Sequence, residues 1–149
     1  KAAVAPQTFL GIAADGRASG VNTTGNPDCH VILRGGDAGP NCDRATVESV
    51  QAALRRAGFP ETVMIDASHA NCGKDHRKMA GVFRDIIALR QNGLPGVCGA
   101  MLESHIGAGA QPFPRPVSEL AYGVSITDAC IDWPTTEALL LETAERLRI

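Results

Sequence analysis

Five ionisable side chains stand at the ends of short apolar runs or in the loop that follows them. Arg34 comes directly after VIL, Asp66 ends VMID with His69 three residues on, Glu103 ends VCGAMLE, and Asp128 lies in a later loop. Histidine nitrogens and carboxylate oxygens are ligands for divalent transition metals. A guanidinium binds two oxygens of a phosphate or a carboxylate at once. If the runs are neighbouring strands, the pattern predicts a metal site beside an anion site.

Four of these side chains also have a structural interpretation, which the sequence leaves open. His69 could be a hydrogen-bonded histidine at the start of a loop, and Arg34 could pair with a carboxylate of a neighbouring loop. Glu103 could be a solvated strand end. Asp128 follows Ser125 at the S-x-x-D spacing of a capping box before an apolar helix.

The other histidines and a short charged stretch are interpreted as mainly structural. His30 begins an apolar run and His76 lies at a charged helix start. His105 comes two residues after Glu103, so it could hold that carboxylate by a hydrogen bond or face the solvent. Residues 74–78 are expected to form mostly a solvated face.

The elements that must position these residues alternate between strand and helix. The predicted strands are residues 30–34, 63–66 and 97–102. The predicted helices are residues 47–57, residues 79–87 and a last helix with Leu140, Ala144 and Leu147 on its apolar face. This order implies parallel strands joined by right-handed crossovers, with both sheet faces covered. Sites in such folds lie at the carboxyl ends of strands. The pattern fits an open doubly wound sheet and a piece of a β/α barrel equally well.

A different pattern precedes this alternation. Residues 8–13 and 19–23 are strand-like, and the Asp15-Gly16 pair between them is a hairpin turn signal. Residues 1–6 are expected to be the tail of a helix whose beginning is missing.

Composition excludes several classes of function. The net charge is -2 with no basic stripe, which argues against nucleic acid as a partner, and no apolar run is long enough for a membrane span. The five cysteines are scattered and form no C-x-x-C pair. Free thiols in a reduced, cytoplasmic protein are therefore expected.

Four segments resemble, in order and at matching intervals, segments of the type I (metal-dependent) 3-deoxy-D-arabino-heptulosonate 7-phosphate (DAHP) synthases. They are VNTTGN with HVILRGG, MIDASHAN, MLESH, and AYG with SITDACI, at residues 21–26 with 30–36, 64–71, 101–105, and 121–123 with 125–131. The similarity extends over almost the whole chain. The combination is highly specific, unlike any one of the motifs.

The resemblance implies an α/β fold that is the C-terminal portion of a single TIM-barrel catalytic domain. Residues 25–149 would form the last three βα units of a (β/α)8 barrel, and residues 1–24 a β-hairpin insertion. The implied activity is that of a transferase of the shikimate pathway, which condenses phosphoenolpyruvate with erythrose 4-phosphate. Two anionic substrates need cations to hold them and a Lewis acid to polarise the aldehyde, which agrees with the residue types above.

The resemblance also implies roles for individual residues. His69, Glu103 and Asp128 would bind one divalent metal ion (manganese, iron, cobalt or zinc), with His69 the candidate catalytic residue. Arg34 would bind the phosphate of phosphoenolpyruvate, and the two glycines after it would allow a ligand close to the backbone. The hairpin would help form a feedback pocket for an aromatic amino acid, and Gly11 and Val21 are the residues of interest there.

The family's fourth metal ligand, a cysteine, and most of its substrate-binding cations match nothing here and would lie upstream of Lys1. We therefore expect the chain by itself to lack the first half of the barrel, to be inactive, and to form homo-oligomers or aggregates through open sheet edges. The alternatives are a non-catalytic fragment, or another metal-dependent aldolase or hydrolase on a similar barrel.

Overall fold

The computed structural model of the chain describes residues 1–147, which fall into two compact units. The first unit ends at His30 and the second begins at Val31. The predicted division at residue 24 stays a prediction. The first unit contains a 3₁₀ helix, Ala2–Val4, and two antiparallel strands, β1 (Gln7–Ile12) and β2 (Ala18–Thr23).

The predicted hairpin is present because the residues between the strands favour a tight turn. The Arg17 backbone N–H donates to Asp15 Oδ1 at 3.2 Å, and Gly16 has a φ of 84°, which glycine adopts without strain. The register places Phe9 opposite Val21. Since side chains alternate along a strand, Phe9 and Gly11 share one face of the hairpin with Val21.

The second unit is built on a sheet of three parallel strands. They are β3 (Val31–Leu33), β4 (Val63–Asp66) and β5 (Val97–Met101), in the order β3-β4-β5. The helices are α1 (Arg44–Arg56), α2 (His76–Gln91) and α3 (Trp133–Arg146). The predicted alternation of strand and helix is confirmed. The outer strands are shorter than predicted. β4 begins opposite Val31 and ends opposite Met101, so His30 and Leu102 have no partner in the ladder, and β3 ends at Leu33, before Arg34.

The core lies on one face of this sheet. Leu33, Val63 and Ile65 point to that face and are almost fully buried. The helices cover them with buried side chains from each helix: Val47, Met79, Phe83, Ile86 and Leu139. The expectation that both faces are covered is wrong for the described residues. On the opposite face Ile32 is 44% exposed.

Aspartates begin all three helices. The side chains of Asp43, Asp75 and Asp132 accept hydrogen bonds from backbone N–H groups of the first helical turns. The Arg77 guanidinium bonds the Asp75 carboxylate and lowers the pKa of that carboxyl to about 2.

The buried face of α3 is not the predicted one. Leu140 and Leu147 are exposed, whereas Thr136 and Leu139 are buried. Threonine is accommodated there because its hydroxyl donates to the Asp132 carbonyl at 2.9 Å and lies 2.5 Å from the Ser104 hydroxyl. Sequence periodicity could not anticipate a polar residue whose partner lies on another segment.

All five cysteines are free thiols, as predicted. Within residues 1–147, no helix is both long and apolar enough to cross a membrane.

Candidate metal centre

The ends of β4 and β5 bring the predicted site residues together. Asp66 is the last residue of β4, and His69 begins the 3₁₀ turn His69–Cys72 that follows. The Glu103 backbone N–H donates to the Ser68 hydroxyl at 2.9 Å, so the segment after β5 is held against this turn. The Ile131 N–H donates to the Glu103 carbonyl at 3.0 Å, which holds the loop containing Asp128 beside the same strand ends.

His69, Glu103 and Asp128 form a compact group of possible ligands. The His69 Nε2 atom lies 3.4 Å from Glu103 Oε1 and 3.6 Å from Asp128 Oδ2. One donor atom from each residue lies within 4.8 Å of the others. Ligands bound at about 2.1 Å to one ion are roughly 3 to 4 Å apart. The three side chains therefore fit a single divalent cation in donor type and spacing, while their roles as ligands stay a prediction.

The electrostatics of Glu103 favour a cation at this point. Burial raises the pKa of the Glu103 carboxyl above its ordinary value, and the carboxylates of Asp128 and Asp66 raise it further, against the opposite effect of His69. Neighbouring carboxylates repel one another when both are ionised. A positive ion between them would relieve this repulsion.

A cavity of about 350 Å³ opens beside the three possible ligands. It is lined by Arg34, Gly35, Gly36, Asp37, His69, Ala70, Cys72, Lys74, Met79, Glu103, Asp128 and Ala129. The predicted anion-binding residue and the predicted metal ligands thus share one cavity. No carboxylate of residues 1–147 lies within 4.0 Å of the Arg34 guanidinium, so the structure does not favour the interpretation of Arg34 as an ion-pair partner.

Lys74 is a cavity residue that the sequence interpretation missed. It was assigned to a solvated face, but it lies in the wall of the same cavity as Arg34. Gly73 and Lys74 both have left-handed backbones, with φ of 64° and 58°, and the Lys74 N–H donates to the His69 carbonyl at 2.7 Å. The chain therefore turns back towards the site before α2 begins. The sequence feature that could have indicated this role is the position of the lysine, five residues after the candidate ligand His69.

Asn71 is a second residue that the sequence analysis passed over. Its buried amide nitrogen donates to the carbonyls of Leu33 at 3.0 Å and Asp66 at 2.7 Å, at the ends of β3 and β4. Its oxygen accepts from the Asn41 N–H at 2.8 Å, and the Asn41 oxygen accepts from the Gly35 N–H at 2.7 Å. These bonds connect the loop that follows Arg34 to the turn of His69.

Gly35 is required for a reason other than the predicted one. Its φ is 73°, and a Cβ atom at this position would lie 2.6 Å from the Ala70 Cβ. The glycine therefore allows two protein segments to approach. A Cβ at Gly36 would meet no atom within 4 Å, so that position leaves open space.

The alternative interpretation of Asp128 as a helix cap is wrong, because α3 begins at Trp133 and Asp132 is its cap. Ser125 instead accepts a hydrogen bond from the Thr127 N–H at 3.1 Å. His105 is exposed, and its Nδ1 accepts from its neighbour Ile106 rather than holding Glu103.

Two buried thiols lie near the site. Burial raises the pKa of both Cys72 and Cys130, and the Glu103 carboxylate raises it further. Both thiols are therefore protonated at neutral pH, and neither belongs to the group of possible ligands.

The sequence of this chain matches the DAHP synthetase I family over residues 1–141. The chain belongs to that family. The resemblance found in the sequence is thereby confirmed, and residues of all four segments that carry it line the cavity described above.

Phospho-2-dehydro-3-deoxyheptonate aldolases of several organisms are similar to this chain. It is 45% identical over 148 residues to a Tyr-sensitive phospho-2-dehydro-3-deoxyheptonate aldolase of Enterobacter agglomerans, covering 99% of this chain and 69% of that protein. It is 43% and 44% identical to the Tyr-sensitive and Phe-sensitive enzymes of Escherichia coli K12, covering 99% of this chain and 41% of each enzyme.

A solved structure has a similar fold. The phospho-2-dehydro-3-deoxyheptonate aldolase from Francisella tularensis SCHU S4 superposes with a TM-score of 0.90 at 38% identity, covering 97% of this chain and 42% of that one. The chain thus spans about two fifths of the length of this structure and of the E. coli relatives.

Proposed function

We propose that this chain contributes to the condensation of phosphoenolpyruvate with erythrose 4-phosphate, which gives DAHP and phosphate. The observation that carries the proposal is the convergence of His69, Glu103 and Asp128 beside the cavity of Arg34, in a chain of the DAHP synthetase I family. We also propose that the second unit supplies the last three βα units of a (β/α)8 barrel. Its three parallel strands, with the candidate site at their carboxyl ends, support this.

His69, Glu103 and Asp128 would hold one divalent metal ion. A mixed set of nitrogen and carboxylate donors suits manganese, iron, cobalt or zinc. The bound metal would supply a Lewis acid that polarises the aldehyde of erythrose 4-phosphate. The fourth ligand implied by the resemblance is a cysteine, which none of the five cysteines of this chain matches.

Arg34 and Lys74, which line the same cavity, would bind the anionic groups of phosphoenolpyruvate. In the reaction, the enol carbon of phosphoenolpyruvate attacks the aldehyde carbon, water adds at the neighbouring carbon, and phosphate leaves. A guanidinium that holds the phosphate oxygens also stabilises the charge of the leaving phosphate. Arg34 therefore orients the substrate and assists the departure of phosphate.

Direct assay of the whole protein tests this proposal. We expect phosphate release from phosphoenolpyruvate only when erythrose 4-phosphate is present, loss of turnover after treatment with EDTA, and recovery with manganese or another divalent ion. Phosphate release without the aldehyde would instead indicate a metal-dependent hydrolase. The proposal would be contradicted if the two substrates did not react in the presence of any of the metals.

Replacing Arg34 with alanine should weaken binding of phosphoenolpyruvate more than it weakens the fold. One lost charge-assisted contact corresponds to about 2 kcal/mol, or about 30-fold in KM for phosphoenolpyruvate. The side chain is exposed, so the melting temperature should change little. Steady-state kinetics and thermal unfolding measure the two effects.

The matched control is Arg56→Ala, which removes an exposed arginine from the last turn of α1, outside the cavity. It should leave KM unchanged. An unchanged KM for phosphoenolpyruvate in Arg34→Ala, with a lowered melting temperature, would favour the structural interpretation of Arg34.

We propose that the hairpin binds an aromatic amino acid that regulates the enzyme. Relatives at similar identity are described as Tyr-sensitive and as Phe-sensitive, so either ligand is compatible with the likeness. A Cβ atom at Gly11 would lie 2.8 Å from Val21 Cγ2. The Val21 side chain therefore packs directly over Gly11, and Phe9, 52% exposed on the same face, offers an apolar surface against which an aromatic ring could pack.

Gly11→Ala should abolish inhibition of the whole enzyme, or weaken inhibitor binding at least about tenfold, because the added methyl group displaces Val21. Gly20→Ala is the matched control on the opposite strand, since a Cβ there meets no atom within 4 Å. Isothermal titration with phenylalanine, tyrosine and tryptophan measures both variants. Absence of binding of all three to the unsubstituted enzyme, with and without metal, would remove the regulatory role.

A further inference from the structure

Asp66 is a buried carboxylate that the proposed reaction does not use. The residue is only 2% exposed, and its two oxygens have different partners. Oδ1 accepts a hydrogen bond from the Ser68 backbone N–H at 2.7 Å, and Oδ2 lies 2.7 Å from His69 Nδ1. Among the described residues no lysine or arginine lies within 4.0 Å of this carboxylate, so the imidazole is its side-chain partner.

The contact with Asp66 determines which nitrogen of His69 is available to a metal. A carboxylate offers only acceptor atoms, so the Nδ1 atom must carry the hydrogen. In a neutral imidazole the free electron pair is then on Nε2. That atom faces Glu103 and Asp128, at 3.4 and 3.6 Å. His69 also has a φ of 53°, which few residues other than glycine adopt, so the surrounding contacts must hold this turn.

We propose that Asp66 is a positioning residue, which holds the ring of His69 with Nε2 unprotonated and directed at the metal. This inference rests on the proposed metal site. Histidine ligands generally donate their second N–H to a carboxylate, a carbonyl or water, and loss of such a partner lowers metal affinity about 10- to 100-fold.

The substitution Asp66→Asn tests this positioning role separately from a packing role, because the asparagine side chain has nearly the same shape as that of aspartate. The Ser68 N–H requires an acceptor, so the amide oxygen stays at the Oδ1 position and the NH₂ group faces His69. The amide then donates to Nδ1, which places the ring hydrogen on Nε2, where the metal would bind. We expect metal affinity to fall about 10- to 100-fold with little change in the unfolding temperature of the metal-free protein.

Asp66→Ala gives the opposite combination. It leaves the buried Ser68 N–H without its acceptor and opens space in the site, so it should destabilise the metal-free protein more than Asp66→Asn does. The imidazole, however, is free to adopt either tautomer and can still offer Nε2. We therefore expect Asp66→Ala to bind metal more tightly than Asp66→Asn, although it is less stable.

The experiment uses the whole protein loaded with Co²⁺. Visible absorption of Co²⁺ reports the ligand set, competition with a chromophoric chelator gives the dissociation constant, and thermal unfolding of the metal-free protein reports the fold. Asp85→Asn removes an exposed carboxylate of α2 and serves as the charge-matched control, which should behave like the unsubstituted protein.

Three outcomes would overturn the inference. Metal affinity and cobalt absorption could be unchanged in Asp66→Asn. Alternatively, affinity could follow stability, with Asp66→Ala binding more weakly than Asp66→Asn, which is what a packing role produces. If the unsubstituted protein binds no Co²⁺, the metal site itself is wrong, and the role of Asp66 is removed with it.

Discussion

Replacing His69 with alanine in the whole protein is expected to remove most of the condensation activity. The imidazole is the central donor of the group, since its Nε2 lies 3.4 Å from Glu103 and 3.6 Å from Asp128. Structural zinc sites with four ligands bind the ion with about 10 to 16 kcal/mol, and on that scale one ligand corresponds to roughly 3 kcal/mol. Metal affinity should therefore fall about a hundredfold.

The kcat of His69→Ala should fall about 100- to 1,000-fold even at saturating metal, as it does when one group that stabilises developing charge is removed. Metal titration and steady-state kinetics measure the two quantities. The matched control is His76→Ala, at the first position of α2, where no role in the site is proposed. Full activity of His69→Ala with unchanged metal affinity would show that the three side chains do not form the metal centre.

Residues 1–149 produced on their own are expected to show no DAHP synthase turnover. A complete β/α barrel takes roughly 250 residues, whereas three parallel strands are described here. Within residues 1–147, β3 and β5 each pair on one side only, and Ile32 is 44% exposed on the uncovered face. Open strand edges and exposed apolar side chains favour pairing with other chains. We therefore expect homo-oligomers or aggregates with weak affinity for metal.

The measurement is phosphate release from the purified 149-residue polypeptide with manganese, phosphoenolpyruvate and erythrose 4-phosphate. Size-exclusion chromatography reports its assembly. Activity should return only when the complementary part of the barrel is supplied, for example the part of the E. coli relative that this chain does not match. Steady turnover of the polypeptide at the rate of a whole enzyme would contradict the expectation.

Local pattern determined the elements of this protein. The apolar runs around Leu33, Ile65 and Val97 predicted the three strands because such runs belong in strands whose side chains are buried. The strand ends then predicted which ionisable residues could meet, since the carboxyl ends of parallel strands share one edge. His69 and Glu103 were identified as site candidates on that reasoning alone.

The roles of other residues depended on partners that are distant in sequence. Asn71 bonds a carbonyl 38 residues away, and the Glu103 N–H reaches the Ser68 hydroxyl 35 residues away. Lys74 lies in the cavity wall because Gly73 and Lys74 both have left-handed backbone conformations. Such a conformation is uncommon for a lysine, so residue propensities do not predict it.

The alternatives for Asp128 and the buried face of α3 were decided in the same way. Asp128 was the cap that the sequence suggested, and only the three-dimensional path of the loop places Asp128 3.6 Å from His69 while Asp132 caps the helix. Thr136 could be buried because Ser104, on another segment, pairs with its hydroxyl. Sequence periodicity records how apolar each position is, whereas the partner that satisfies a buried polar group exists only after the chain has folded.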